Sequence, residues 1–323
     1  MGALTIKSRV ERWPIAGTFT LSRGSKTEAI VVIAEISDGE FIGRGECVPY
    51  ARYGETVESV VGLIEGWKGK DPEALQKDLP PGAARNALDC AFWDLKAKKT
   101  GRPAYQLAGL DSLKPVIASY TLSLDTPENM AEAAACVATR PLIKIKLGKE
   151  GDPARLSAVR AAAPKARLMV DANEGWCVEN LSENFAACIK CGVELIEQPL
   201  PAADDAALAS ISHVVPLCAD ESMFDRASLP SLAGKYDMVN IKLDKTGGLT
   251  EALATAALAR QMGFSLMVGC IVSTSLSIAP AFLVAQQAEV ADLDGSLLLA
   301  KDRDGGVRYA DGLIYPPTAA LWG

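Results

Sequence analysis

The chain predicts a parallel (β/α) barrel carrying an N-terminal α+β capping domain that the C-terminal tail completes. Three observations lead there. The first 50 residues or so alternate apolar and polar positions, with a tight turn between two of the runs. From about Pro115, eight short apolar runs alternate with helical segments. Charged residues close most of those runs at intervals of about 22 to 26 residues, with one interval skipped. Such an interval holds one strand, one loop and one helix, so the charges gather at one mouth.

The N-terminal strands are expected at Leu4 to Val10, Glu28 to Ile36 and Glu40 to Val48, with Asp38-Gly39 as a hairpin turn. Ile15 to Lys26, polar and bearing glycine, is expected to be a mobile flap. Helical patterns follow at Glu55 to Trp67, Pro72 to Asp78 and Gly82 to Lys99. The last puts Ala83, Ala87, Leu88, Ala91 and Leu95 on one face. Residues 1–113, joined by 305–323, are therefore expected to form the cap, and 114–304 the barrel.

Barrel strands are expected at Val116–Thr121, Leu142–Leu147, Leu168–Asp171, Val193–Glu197, Pro216–Ala219, Met238–Lys242, Ser265–Cys270 and Glu289–Leu293. Helix starts show at Asp125-Thr126-Pro127-Glu128 and Asp152-Pro153, a capping residue before proline. No GxGxxG follows an early strand, so a dinucleotide-binding fold lacks support. Asp302 to Gly323 shows no strand–helix alternation and is expected to pack back on the cap.

Composition narrows the function. The formal charge of −7 argues against nucleic acid or an anionic membrane as partner. No apolar run reaches the roughly 18 residues of a membrane span. Met1 to Trp13, with Lys7, Arg9, Glu11 and Arg12, does not read as a signal peptide. The 8 cysteines, including Cys90, Cys136, Cys218 and Cys270, are expected to be buried thiols of a cytoplasmic protein. Cys188-x-x-Cys191 reads as two core positions of a helix, and the single histidine, His213, as structural.

Asp171, Glu197 and Asp220 close three consecutive strands. Three converging carboxylates repel one another unless a cation neutralises them, and an all-oxygen set favours Mg²⁺ or Mn²⁺. Lys144 and Lys146 share the inward face of one strand, and Lys242 closes a strand four further on, across the mouth. A lysine base must be neutral, and moving its pKa from about 10.4 to about 7 takes roughly 4.6 kcal/mol. A neighbouring ammonium, a metal and burial are expected to supply it. Two lysines across a metal-bound carboxylate suit removal of an α-proton on one face and its return on the other.

The KxK strand, the Asp, Glu, Asp series and the later lysine resemble the muconate-lactonising branch of the enolase superfamily. Arg44-Gly45-Glu46-Cys47-Val48-Pro49-Tyr50, Val239 to Leu249 and Asp292-Leu293-Asp294 sharpen the resemblance to its dipeptide epimerases. It covers essentially the whole chain and implies a (β/α)7β-type TIM barrel with one Mg²⁺ per subunit, Mn²⁺ being a substitute. It also implies Lys146 and Lys242 as bases and a 1,1-proton transfer on an L-Ala-L/D-Glu type dipeptide in murein peptide recycling. Asp292 and Asp294 match residues that grip the dipeptide's ammonium, and Arg23 one that holds a glutamyl carboxylate. Thr121 and Cys270 match substrate-lining positions, and Lys144 faces the α-carboxylate. The partner implied is this small molecule, with homo-oligomers common in such barrels. Cycloisomerases, o-succinylbenzoate synthases and N-acylamino-acid racemases share the lysines and metal, but have no ammonium for the DxD. A non-catalytic metal- and peptide-binding barrel would gain nothing from opposed lysines. The mandelate-racemase branch needs a histidine late in the barrel, where this chain has Cys270.

Overall fold

Residues 4–323 are described by a computed structural model; the first three residues of the expected N-terminal segment lie outside them. Thr5–Leu21, Gly24–Ser37 and Ile42–Cys47 form an antiparallel sheet in sequential order. Helix Ala83–Thr100 presses on its third strand. A Cβ at Gly43 or Gly45 would lie 2.0 Å from the helix carbonyl of Ala91 or Ala87, so glycine sets the approach. Val32, Ala34, Ile36, Leu88, Ala91 and Leu95 fill the space between sheet and helix.

The expected flap is in fact a β-ribbon. Strands one and two continue through it, with a register shift between Pro14 and Phe19, and turn at Ser22-Arg23. Backbone pairs Phe19–Lys26, Thr20–Ser25 and Leu21–Gly24 satisfy the peptide groups that a loop would leave to water.

Eight parallel strands follow in sequential order: Tyr120–Leu122, Leu142–Lys146, Arg167–Asp171, Val193–Glu197, Leu217–Ala219, Met238–Ile241, Ser265–Gly269 and Val290–Asp292. They are called barrel strands one to eight below. The Ala118–Ala291 bridge, with Ser119 N donating to Ala291 O at 3.1 Å, joins the eighth strand to the first. Side chains alternate across each strand. Ile143, Ile145, Val170, Ile196, Val239, Ile241 and Val268 belong to the large apolar core with residues of the surrounding helices. Leu142, Met169, Leu195, Cys218, Met238 and Met267 form a separate cluster. Lys144, Lys146, Asp171, Glu197 and Asp220 continue the alternation of that second set toward the strand ends.

Four local expectations are corrected. The run Val116–Thr121 splits: Val116–Ile117 pairs with the tail strand Leu313–Ile314, leaving Tyr120–Leu122 to the barrel. Around barrel strand five the helices are 3-10 turns, Ala206–Ser210 and Arg226–Leu232, the latter containing Pro230, which has no N–H to donate. Asp152 begins its helix rather than capping it. Its Oδ2 accepts Gly148 N at 2.6 Å and Trp176 Nε1 at 2.8 Å, holding the preceding loop. Cys136 and Cys177 are exposed, whereas Cys188 and Cys191 are buried. Thr126 caps its helix as expected, accepting Asn129 N at 3.3 Å.

The tail does return to the cap. Trp322 Nε1 donates to Cys90 O at 3.1 Å, and Gly323 N donates to Asp94 Oδ1 at 2.9 Å. Among the described residues no helix is long and apolar enough to cross a membrane.

Candidate active site

A cavity of about 980 Å³ lies where the hairpin tip and the Pro49–Val57 segment overhang the C-terminal ends of the barrel strands. It is lined by nine of the eleven residues singled out in the sequence: Arg23, Thr121, Lys144, Lys146, Asp220, Lys242, Cys270, Asp292 and Asp294. Asp171 and Glu197 are 0% and 1% exposed and lie beneath the lysines. Lys146 ends strand two and Lys242 directly follows strand six of the eight, on opposite sides of the mouth. Gly269 on strand seven makes room, since a Cβ there would lie 3.0 Å from Lys242 Cε and 2.6 Å from Asn240 Oδ1.

The charges form one connected array. Lys146 Nζ donates to Asp171 Oδ2 at 2.6 Å, and Lys242 Nζ donates to Asp220 Oδ2 at 2.7 Å. Lys144 Nζ reaches Asp292 Oδ2 at 2.6 Å, Glu197 Oε2 at 2.6 Å and Asp171 Oδ2 at 3.1 Å. Burial pushes the Asp220 carboxyl up, but Lys242 and Lys245 override it and hold it well below the usual range. Glu197 goes the other way, raised to about 7 by burial and by the charge on Asp171. Asp294 is raised to about 6 by burial and by Asp292.

The lowering expected of the lysines draws on a neighbouring ammonium, a metal and burial together, and the protein's own groups do not supply it. Burial does lower Lys242 and Lys144, but carboxylates outweigh it: Asp220 raises Lys242, and Asp292 with Glu197 raises Lys144. As the chain stands here, both are held as cations.

The donor set fits a hard divalent cation. Asp171, Glu197 and Asp220 offer oxygens only, and their carboxylates repel one another across a short gap. Buried Glu197 Oε2 meets Lys144 Nζ at 2.6 Å outside hydrogen-bond geometry, which leaves the oxygen lone-pair capacity for a cation. Among the described residues no ready-made cage of three His, Cys, Asp or Glu side chains is present, and a lysine ammonium lies against each of the three carboxylates.

Several residues escaped the sequence reading. Lys245 is fully buried and donates to Asp220 Oδ1 at 2.7 Å, Asp220 O at 2.6 Å and Asn240 O at 3.0 Å. Asn240 Nδ2 donates to Glu197 Oε1 at 2.8 Å, and Ser119 Oγ donates to Asp292 Oδ1 at 2.6 Å. Asn240 was legible in principle, two positions before Lys242 on the same strand face. Asp294 Oδ2 accepts Thr121 N at 2.7 Å, and Cys270 Sγ donates to Asp292 O at 3.4 Å. Asp244, grouped with Lys242 in the sequence, leaves the mouth. Its Oδ1 accepts Val48 N at 3.0 Å and Asn86 Nδ2 at 2.9 Å from the cap. His213 stays outside the cavity, its Nδ1 at 2.9 Å from Asp237 Oδ2.

Arg23 reaches the cavity mouth from the hairpin turn. Its Nη2 donates to Glu221 Oε1 at 2.7 Å, and its Nη1 donates to Asn173 O at 3.0 Å and Glu174 Oε2 at 3.2 Å. Arg52 Nη2 and Nε also donate to Glu174, at 2.7 and 2.9 Å.

Opposed lysines over buried carboxylates, at the C-terminal mouth of a parallel barrel under an α+β cap, define a barrel enzyme of the enolase type. Residues 3–109 match the mandelate racemase / muconate lactonizing enzyme N-terminal domain, and 129–320 match the enolase C-terminal domain-like family. The chain belongs to this mandelate racemase / muconate lactonizing family of the enolase superfamily. It is 46% identical over 318 residues to the L-Ala-D/L-Glu epimerase of Escherichia coli, covering 96% of this chain and 99% of that one. It is also 46% identical over 300 residues to an N-acetyl-D-glutamate racemase of Pseudoalteromonas, covering 91% and 95%. A solved enolase family member from Agrobacterium tumefaciens, with homology to dipeptide epimerases and with bound sodium and L-Ala-L-Glu, superposes with a TM-score of 0.98. It is 51% identical, over 99% of this chain and 100% of that one.

Proposed function

We propose that this protein is a Mg²⁺-dependent dipeptide epimerase that inverts the α-carbon of the C-terminal residue of L-Ala-L/D-Glu by a two-base 1,1-proton transfer. The observation that carries it is the pairing of Lys146 with Lys242 across one cavity that also holds the Asp292–Asp294 pair. One lysine, neutral, takes the α-proton; the other, as ammonium, delivers a proton to the opposite face. Asp171 and Asp220 fix the two Nζ atoms, Lys245 fixes Asp220 in turn, and Asn240 fixes Glu197. Asp171, Glu197 and Asp220 would hold a divalent cation, which would supply positive charge to offset the negative charge that builds on the substrate's α-carboxylate when the α-proton leaves. Lys144 lies beside the α-carboxylate, and Thr121 and Cys270 line the substrate.

Asp292 and Asp294 receive the dipeptide's ammonium. This separates the reading from N-acylglutamate racemisation, which the second relative brings to mind, since an acylated nitrogen carries no charge to pair with two buried carboxylates. The division into a cap (1–113 with 305–323) and a barrel (114–304) is supported by the separate N-terminal and barrel sheets and by the tail's bonds to Cys90 and Asp94, while a third sheet pairs the tail strands with Val116–Ile117. An L-Ala-Glu substrate places the protein in murein peptide recycling, and its 8 free thiols suit the reducing cytoplasm.

The test is incubation with Mg²⁺ in D₂O. L-Ala-L-Glu should gain deuterium at the glutamyl α-carbon and yield L-Ala-D-Glu, with N-acetyl-L-glutamate turned over far more slowly. A preference for N-acetyl-L-glutamate would replace this reading with the racemase.

A further inference from the structure

Asp171 and Glu197 end five-residue strands, but the strand before Asp220 has only three residues, Leu217–Ala219, and 3-10 turns flank it. Its pairings stop at Cys218 and Ala219, short of Asp220. A side chain takes over there: Gln198 Oε1 accepts Asp220 N at 2.9 Å and Ser222 N at 3.1 Å. Gln198 directly follows Glu197 and is fully buried.

Its placement is enforced at both ends. The backbone has φ +37°, in the left-handed region, which a non-glycine residue holds only where its surroundings over-determine it. Gln198 N donates to Cys218 O at 2.9 Å and Gln198 O accepts Glu174 N at 3.0 Å, tying the ends of strands three, four and five. At the tip, Nε2 donates to Leu200 O at 2.9 Å, Ser222 Oγ at 2.8 Å and Tyr236 OH at 2.9 Å. Both hydroxyls donate in turn to Asp205 Oδ2, at 2.6 and 2.9 Å, and Lys235 Nζ pairs with Asp205 Oδ1 at 2.5 Å. A carboxylate only accepts, so the hydroxyl protons go to Asp205 and each hydroxyl oxygen is free to accept from the Gln198 amide. That leaves the amide oxygen for the two peptide N–H groups. Gln198, Ser222, Tyr236 and Asp205 all lie outside the cavity lining.

We infer that Gln198 is a positioning residue that sets the gap between the Glu197 and Asp220 carboxylates, and with it the affinity of the site for Mg²⁺. It carries Glu197 on its own backbone and Asp220 on its side-chain oxygen, so one residue spans two of the three carboxylates. The inference rests on the Mg²⁺-dependent epimerase reading and assigns a support to its metal site. Removing a partner behind the ligands of a metal typically weakens binding roughly 10- to 100-fold.

The test is calorimetric titration of Mg²⁺ into EDTA-treated, desalted wild type, Gln198→Met, Gln198→Gly and Gln198→Glu, each checked for folding by circular dichroism. Wild type that binds no Mg²⁺ defeats the metal-dependent reading itself, before any variant is compared. Gln198→Met keeps the length but offers Asp220 N no acceptor, and Gln198→Gly suits the positive φ. Each should raise the Kd for Mg²⁺ about tenfold or more. Gln198→Glu keeps an oxygen for the two N–H groups and should bind no worse than about threefold below wild type. In saturating Mg²⁺, KM for L-Ala-L-Glu should stay within about threefold of wild type, whereas a general loosening of the mouth would raise it along with Kd. The inference is overturned if folded Gln198→Met or Gln198→Gly binds Mg²⁺ within about twofold of wild type, or if Gln198→Glu binds as weakly as Gln198→Met. A KM that climbs in step with Kd, or failure of both Gln198→Met and Gln198→Gly to fold, makes the role merely structural and overturns it too.

Discussion

Asp244→Asn should make the protein more stable, and increasingly so as pH rises. Asp244 is buried at the seam between cap and barrel, and burial raises its pKa from the usual 3.8 to about 7. An acid with a raised folded-state pKa contributes its full stability below the unfolded value. That contribution is lost as pH climbs through the folded value, because folding then retains a buried charge. Each pH unit between the two values is worth about 1.4 kcal/mol, so by pH 8 the wild type gives up about 4 kcal/mol. Asparagine has no proton to lose, and its carbonyl oxygen can still accept the two bonds from Val48 N and Asn86 Nδ2, which both fall on Oδ1. Urea unfolding of both proteins at intervals from pH 4.5 to 8 should show the variant's advantage growing along that slope and levelling above pH 7. A difference that stays constant with pH would refute the reasoning.

Two further perturbations test the supports of the site. Lys245→Met removes three hydrogen bonds from a fully buried ammonium and strips Asp220 of one of its two cations, which should cost about 3 kcal/mol or more in urea unfolding; a loss under about 1 kcal/mol would mean that Lys245 does not anchor Asp220. Exhaustive dialysis against EDTA should abolish proton exchange on L-Ala-L-Glu and lower the melting temperature relative to protein in millimolar Mg²⁺, with both effects reversed by Mg²⁺ or Mn²⁺. Full activity in EDTA would remove the metal from the account.

The barrel was legible because its code is local. Period-2 alternation placed Lys144 and Lys146 on one face, and the recurrence of charge at strand ends placed Asp171, Glu197 and Asp220 together. Val193–Glu197 and Pro72–Asp78 emerge with the expected bounds. What was not legible depends on partners distant in sequence. Arg23 meets Glu221 from 198 positions away, and no spacing rule announces that its charge is already matched. Lys245 and Asp244 follow barrel strand six on a single helical turn, Leu243–Thr246, where side chains diverge by about 100° per residue. Lys245 turns under Asp220 while Asp244 turns to the cap. The flap misled for a related reason: its glycines and polar residues look like a loop, but cross-strand pairing supplies the order that composition does not.

The central claim is that Lys146 and Lys242 work on opposite faces of one α-carbon. The most direct measurement is proton NMR of Lys146→Met and Lys242→Met in D₂O with Mg²⁺ and each pure epimer of L-Ala-Glu. Neither variant should epimerise, and each should wash deuterium into one epimer only, a different epimer for each lysine. Epimerisation by either variant at a rate near wild type, or exchange of the same epimer by both, would contradict the claim.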